Sequence, residues 1–265
     1  MNKIILIRKI TTKFLKANAC LWGMGFRYFL GTSIGKSQLR ASIYPTSTRT
    51  EISDHIYVVT SVISPSQRKL SYSTRRSFFS EADRLQQTTK TIESIRKFDQ
   101  HAKIALVECS NRKQLINIKV ENVDIYQINK WFSRIVINGP YKGLGEGLML
   151  IATSKITDNY RTVSKISGRY ELYKPPASTP MVLFSVSNEL AITIYYRMDS
   201  YIYKKWISFI EMNLNSLSKG MSIESLLTQF TERNNLRPVE NVGVRGLNGI
   251  TGGLTQILCR RKSLM

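Results

Sequence analysis

A cation at a glycine turn is the most chemically suggestive arrangement in this sequence. In VSKISGRYEL, residues 163–172, a short apolar run ends at Ser167-Gly168-Arg169, with Lys165 just before the turn. A guanidinium at the end of a strand can grip a diphosphate through two parallel hydrogen bonds, or it can pair with an acid such as Glu171. Upstream, YKGLGEGLML (141–150) reads as a second glycine turn opening onto a helix that runs to about residue 156. Backbone N–H groups at such a helix start can face an anion, with Lys142 adding charge, and a purely structural turn accounts for the same residues. No GK[ST] follows the glycines, and GxGxxG is absent after the first strand, so neither common phosphate-loop signature is met. KIALVEC (103–109) ends on Glu108, where a carboxylate can accept hydrogen bonds from a ribose or base, or cap a neighbouring helix.

These residues need a scaffold, and the periodicity supplies one. Residues 56–63 (IYVVTSVI) and 103–109 are short, apolar and β-branched, as buried strands are. Residues 123–128 form a weaker third strand and 161–166 a fourth. Ser80, followed three residues later by Asp83, caps a helix running to about residue 98, with Leu85, Thr88, Thr89, Ile92 and Ile95 inward. Later come a hairpin of strands at 181–187 and 190–197, and a helix over 201–217 stopped by Gly220. A helix capped by Ser222 and a glycine-rich tail from Gly243 to Gly253 follow. Strands alternating with helices, then an added sheet region, predict one α/β domain with a mixed sheet flanked by helices over residues 51–265.

Composition bounds the partners. The net charge is +21, and nine of those charges lie in residues 1–50, which contain no acid. Such a balance selects anionic partners and says little about fold. Residues 1–50 read as a basic extension able to lie on an anionic membrane surface, to pack on the domain, or to form a tail. Three cysteines without CxxC spacing and only two histidines argue against a zinc site. They fit a reducing cytoplasm, with attachment to the inner face of the membrane as an extension of that reading. No apolar run reaches the roughly 18–20 residues of a membrane span.

Taken together, SYSTRRSFFSEADRLQQTTKTIESIR (71–96), LVECS, KGLGEG, KISGRY and a late SIE helix start occur in an order that resembles GT-A type nucleotide-sugar glycosyltransferases of surface-polysaccharide loci. The resemblance covers most of the chain beyond the basic N-terminus. It implies a GT-A-like fold and transfer of a sugar from a nucleotide-sugar donor to a glycan or lipid-linked acceptor. It further implies that Val62 and Ser64 border the nucleobase, Glu108 holds base or ribose, and Lys142 and Gly143 line the nucleotide side of the cleft. KISGRY stands where such enzymes carry the metal-binding Asp-x-Asp, so no divalent metal or other cofactor is expected. Arg169, Lys165 and one of Arg75, Arg76 or Arg84, at the Gly168 turn, would stabilise the leaving diphosphate instead. Glu224, in the first turn of the late helix, is the candidate general base, with Asp199 and Glu189 as weaker ones. A basic nucleic-acid-binding protein and an inactive GT-A-like scaffold remain open. No helix-turn-helix, RRM or zinc-finger signature supports the first, so no specific nucleic acid is expected.

Overall fold

The computed structural model describes residues 53–110, 123–128, 130–176, 181–185, 190–236, 238–239, 243–248 and 254–256. The basic extension (1–50), Glu189 and part of the glycine-rich tail lie outside the described residues. The chain is an α/β protein in which a seven-stranded mixed sheet is flanked by helices, with a three-stranded antiparallel sheet beside it.

In chain order the elements begin with β1 (Ser53–Ser61), α1 (Glu81–Phe98), β2 (Lys103–Glu108), β3 (Val123–Gln127), α2 (Lys130–Asn138), α3 (Lys142–Ala152) and the short α4 (Ser154–Thr157). They continue with β4 (Tyr160–Ser167), β5 (Tyr170–Leu172), β6 (Met181–Ser185), β7 (Leu190–Asp199), α5 (Ser200–Met212), α6 (Leu214–Ser218) and α7 (Ile223–Arg233). The chain closes with β8 (Pro238–Val239), β9 (Val244–Leu247) and β10 (Leu254–Gln256). The large sheet has the order β3-β2-β1-β4-β7-β6-β8, and β5, β9 and β10 form the small one.

β1 is central because its side chains can be buried on both faces. Ile56 and Val58 join the core beneath α2, α3, α5 and α7, whereas Tyr57 and Val59 join the core beneath α1 and the small sheet. β2 divides in the same way, with Ala105 and Val107 on one side and Ile104 and Leu106 on the other. β1 pairs in parallel with both β2 and β4. The chain first moves from β1 to β2 and β3, then crosses back through α2 and α3 to β4 on the other side. That reversal leaves a crevice between the carboxyl ends of β1 and β4, the place where open α/β sheets bind ligands.

Three sequence readings need correction. KGLGEG is not a turn: it forms the first half of α3. A Cβ on Gly143 would come within 2.8 Å of the Met221 carbonyl oxygen, and one on Gly147 within 2.9 Å of Leu217 Cδ1. The glycines are therefore places where helix α3 lies close against the α6–α7 region. The helix expected over 201–217 breaks at Asn213 into α5 and α6, and Gly220, at φ +105°, ends it as expected. Helix α2 has no counterpart in the sequence reading. By contrast, α1 starts with the anticipated cap: Asp83 N–H donates to Ser80 Oγ, and Ser80 N–H donates to Asp83 Oδ2 at 2.9 Å.

Near the amino end of β1, His55 packs edge-on to Tyr57 with ring centroids 4.5 Å apart. Burial, and then the nearby Arg197 charge, push its pKa down to about 3. The unfolded chain therefore binds the extra proton between pH 6.5 and 3, and stability must fall as pH drops through that window. This group alone is expected to cost roughly 3 kcal/mol of stability by pH 4. Thermal melts of wild type and His55→Phe across pH 4–7 test this: the variant should show a visibly flatter profile.

Candidate functional site

The crevice at the switch point is a cleft built from four segments. The floor comes from Thr60, Ser61 and Val62 at the end of β1, and from Ser167, Gly168 and Arg169 at the end of β4. One wall is the start of α1, carrying Arg84 and Thr88. The other is α3, carrying Lys142, Gly145, Glu146 and Met149. The turn after β4 is sewn to β1 and α1: Gly168 N–H donates to the Thr60 carbonyl at 2.9 Å, and Thr88 Oγ1 donates to the Gly168 carbonyl at 3.1 Å. The site is close-packed around Gly168, since a Cβ would sit 3.1 Å from Thr88 Oγ1 and 3.2 Å from Ser61 Cβ and those neighbours would have to give way. The turn thereby holds Arg169 at the cleft with little backbone freedom.

Lys142, Arg84 and Arg169 set the electrostatics. Among the described residues neither Arg169 nor Lys142 has a hydrogen-bond or ion-pair partner on its side chain, although Arg169 lies 5.8 Å from the Tyr170 ring centroid. Lys142 opens into the cleft but is walled by protein; that burial first, and then the Arg169 charge, lower its pKa. Arg84 is more committed: Nε donates to the Val62 carbonyl and Nη1 donates to Ser77 Oγ at 3.1 Å. Burial, then Arg169, bring its pKa down to about 9. The Arg169 charge thus lowers the pKa of both neighbours, and an anion between them would relieve that repulsion. Pro65, Leu70, Val136, Ile137 and Met149 add apolar lining to the cleft.

A second compartment adjoins the first, and Lys142 and Glu146 line both. It is formed by Ser71, Tyr72, Tyr141, Gly143 and the loop from Gly220 into α7, which ends in Glu224. Ser222 caps α7 by accepting from Ser225 N–H at 2.9 Å, and this fixes Glu224 in the first turn. Thr193 Oγ1 donates to Glu224 Oε1 at 3.0 Å. Beneath the compartment Lys165 donates to Glu146 Oε1 at 2.7 Å, to Ser167 Oγ at 2.9 Å and to the Thr193 carbonyl. Burial would raise the Glu146 pKa, but Lys165 and Lys142 outweigh it and hold the carboxyl below its ordinary value. Thr193 thus joins two carboxylates, one locked to a lysine and one facing the compartment.

The structure brings together Val62, Lys142, Gly168, Arg84 and Arg169 in the cleft, and Gly143 and Glu224 in its neighbour. It turns the other named residues elsewhere. Lys165 is fully buried, and its ammonium is consumed by three acceptors, so it supports the cleft from below. Glu108 is also fully buried: Oε1 accepts from Ile63 N–H at 3.0 Å and from the N–H and hydroxyl of Ser110, so it ties the β1 and β2 ends together. Ser64 is occupied in the same tie, donating through its N–H to Ser110 Oγ and through its hydroxyl to Glu81 Oε2. Arg75 does not line the cleft and lies 5.6 Å from the Phe78 ring centroid; Arg76 lines the cleft but donates to the Arg68 and Gly139 carbonyls. Asp199 sits at the amino end of β4, opposite Thr162 and far from the cleft.

Glu146 is the residue that sequence reasoning missed. Read as helix, KGLGEG places Lys142 and Glu146 four apart on one face. Read as turn, it does not. Among the described residues no group of three or more His, Cys, Asp or Glu side chains is placed to hold a metal ion, and no helix is long and apolar enough to cross a membrane. No protein-family model matches the chain, and a search of curated proteins returns no match.

Proposed function

We propose that this protein is a GT-A-like glycosyltransferase that takes a nucleotide-sugar donor and passes the sugar to a glycan or lipid-linked acceptor in surface-polysaccharide synthesis, with fixed cations in the place of a divalent metal. One observation carries the reading. Arg169 and Lys142, without partners among the described residues, converge with Arg84 on a cleft at the switch point of the sheet. A diphosphate supplies the matching charge, and the apolar lining of the cleft suits a nucleobase. As the bond to the donor sugar breaks, negative charge grows on the leaving phosphate, and pre-placed cations stabilise it more than they stabilise the substrate. Glu224 then faces the compartment where an acceptor hydroxyl must lose its proton.

Isothermal titration with UDP, GDP and CMP in EDTA tests the core of this reading: one nucleotide is expected to bind at micromolar strength without metal. Absence of binding by all three would sink it, and complete loss of transfer in EDTA with rescue by manganese would sink the metal-free form. The protonated cations are what the anion needs. Affinity should therefore fall as pH rises toward the lysine range, where free Lys142, its pKa already lowered by burial and by Arg169, loses its proton. An affinity flat to about pH 10.5 would remove Lys142 from the site.

A further inference from the structure

The outer side of α5 is not used by the cleft. The inner side of this helix buries Tyr203, Trp206, Ile207 and Ile210. On the outer side, Tyr201, Lys204, Lys205, Ser208 and Met212 fall at the i, i+3, i+4, i+7, i+11 spacing of a single helical stripe. With Phe209 and Phe230 they line a shallow groove that has no acid among its lining residues. Tyr201 and Met212 are 67% and 68% exposed, the highest values among the large exposed hydrophobics of the described residues. Cations are woven through them: Lys205 Nζ lies 4.4 Å from the Tyr201 ring centroid and Arg233 Cζ lies 5.2 Å from that of Phe209. Lys204 pairs with Asp158 at 3.3 Å, and that pair is half exposed.

Position adds a second argument. Asp199, immediately before α5, is opposite Thr162, and Ser53 at the start of β1 is opposite Tyr160. Residues 1–50, with nine cations and no acid, therefore join the described chain at the end of the sheet where α5 begins.

We propose that this stripe is a docking face for an anionic lipid bilayer. Lysine stems can lie along the interface while their ammonium groups reach the headgroups, and tyrosine and methionine enter the boundary between headgroup and acyl chain. A nucleic acid would use the cations but gain little from Met212. A second copy of the chain would bring like charges face to face, and residues 1–50 are themselves cationic and are repelled.

Co-sedimentation of the full chain with phosphatidylglycerol/phosphatidylethanolamine vesicles, against phosphatidylcholine vesicles, tests the proposal. At about 0.1 M salt the anionic vesicles should be preferred at least tenfold, and the preference should shrink as salt screens the contact. The combined Tyr201→Ser, Lys205→Glu, Met212→Ser variant should lose at least tenfold of this binding with an unchanged melting temperature. If that variant does not fold, Lys205→Glu alone should still lose several-fold. Undiminished binding by the folded variant would assign the membrane contact to residues 1–50 and overturn the proposal. Equal binding to both vesicle types would overturn it too, as would a variant that loses binding to an RNA of about 20 nucleotides while keeping the vesicles.

Discussion

Arg169→Ala is expected to lower sugar transfer by about 10²–10³-fold, the range for removing one pre-placed electrostatic donor from a developing anion. The argument rests on what Arg169 does not do. Among the described residues its side chain makes no hydrogen bond and no ion pair, so its truncation breaks no side-chain network and should leave the melting temperature unchanged. Its position is nonetheless fixed, because Gly168 on its amino side is bonded to both β1 and α1. A residue held this firmly with its charge left unanswered is placed for something that arrives. Loss in kcat should exceed loss in nucleotide affinity, since the leaving phosphate carries more charge in the transition state than in the bound donor. Arg169→Lys should recover part of the affinity and less of the rate, as it keeps the charge but not the bidentate fork. An Arg169→Ala enzyme within threefold of wild type in steady-state assays would remove this residue from the mechanism.

Glu224→Gln should show the other large effect, a fall in kcat of about 10²–10⁴-fold with nucleotide binding and stability retained. The paired experiment is Glu146→Ala, because both carboxylates line the second compartment and Thr193 lies between them. Their surroundings assign different roles. Glu146 is bonded at 2.7 Å to a lysine with no exposure of its own and is held below the ordinary carboxyl range, which makes it a poor proton acceptor and a good counter-ion. Removing it leaves the Lys165 charge buried without its partner, at a cost of about 3–5 kcal/mol. Glu224 has one oxygen on the Thr193 hydroxyl and lies at the mouth of a short capped helix. Thermal melts and steady-state rates separate the two: Glu146→Ala should melt lower, whereas Glu224→Gln should melt as wild type and lose turnover. The reverse pattern would exchange their roles, and normal turnover by folded Glu224→Gln would exclude it as the base.

Local chemistry explains which parts of this were legible in the sequence. The Ser80–Asp83 capping box and the Ser222 cap are set by residues three apart, so α1 and α7 start where the sequence placed them. β1 and β2 are short apolar runs bounded by polar residues, and their alternation between two cores follows from a period of two. The Ser167-Gly168-Arg169 turn and its cation likewise stood out, because glycine at a strand end marks a close approach of backbone.

Other features depended on distant contacts. Glycine disfavours helix by about 1 kcal/mol per residue, so KGLGEG reads as a turn until Met221, Ile223 and Leu217 come close enough to exclude any side chain. α2 carries a Phe-Ser-Arg-Ile-Val-Ile run whose β-branched residues resemble a strand; packing on α3 makes it helical. Lys165 lies in a strand whose central residues are buried on both faces, so alternation could not say whether its ammonium met the ligand or the protein. The decision came from Glu146, nineteen residues away, which no local pattern connects to it. The sequence alone therefore determined the main strands of the large sheet and most of its helices, the excess of positive charge and the cation at the turn. Only the tertiary structure decided which charges are already neutralised inside the protein and which remain for a ligand, because pairing between distant charges is settled by the packing that buries them.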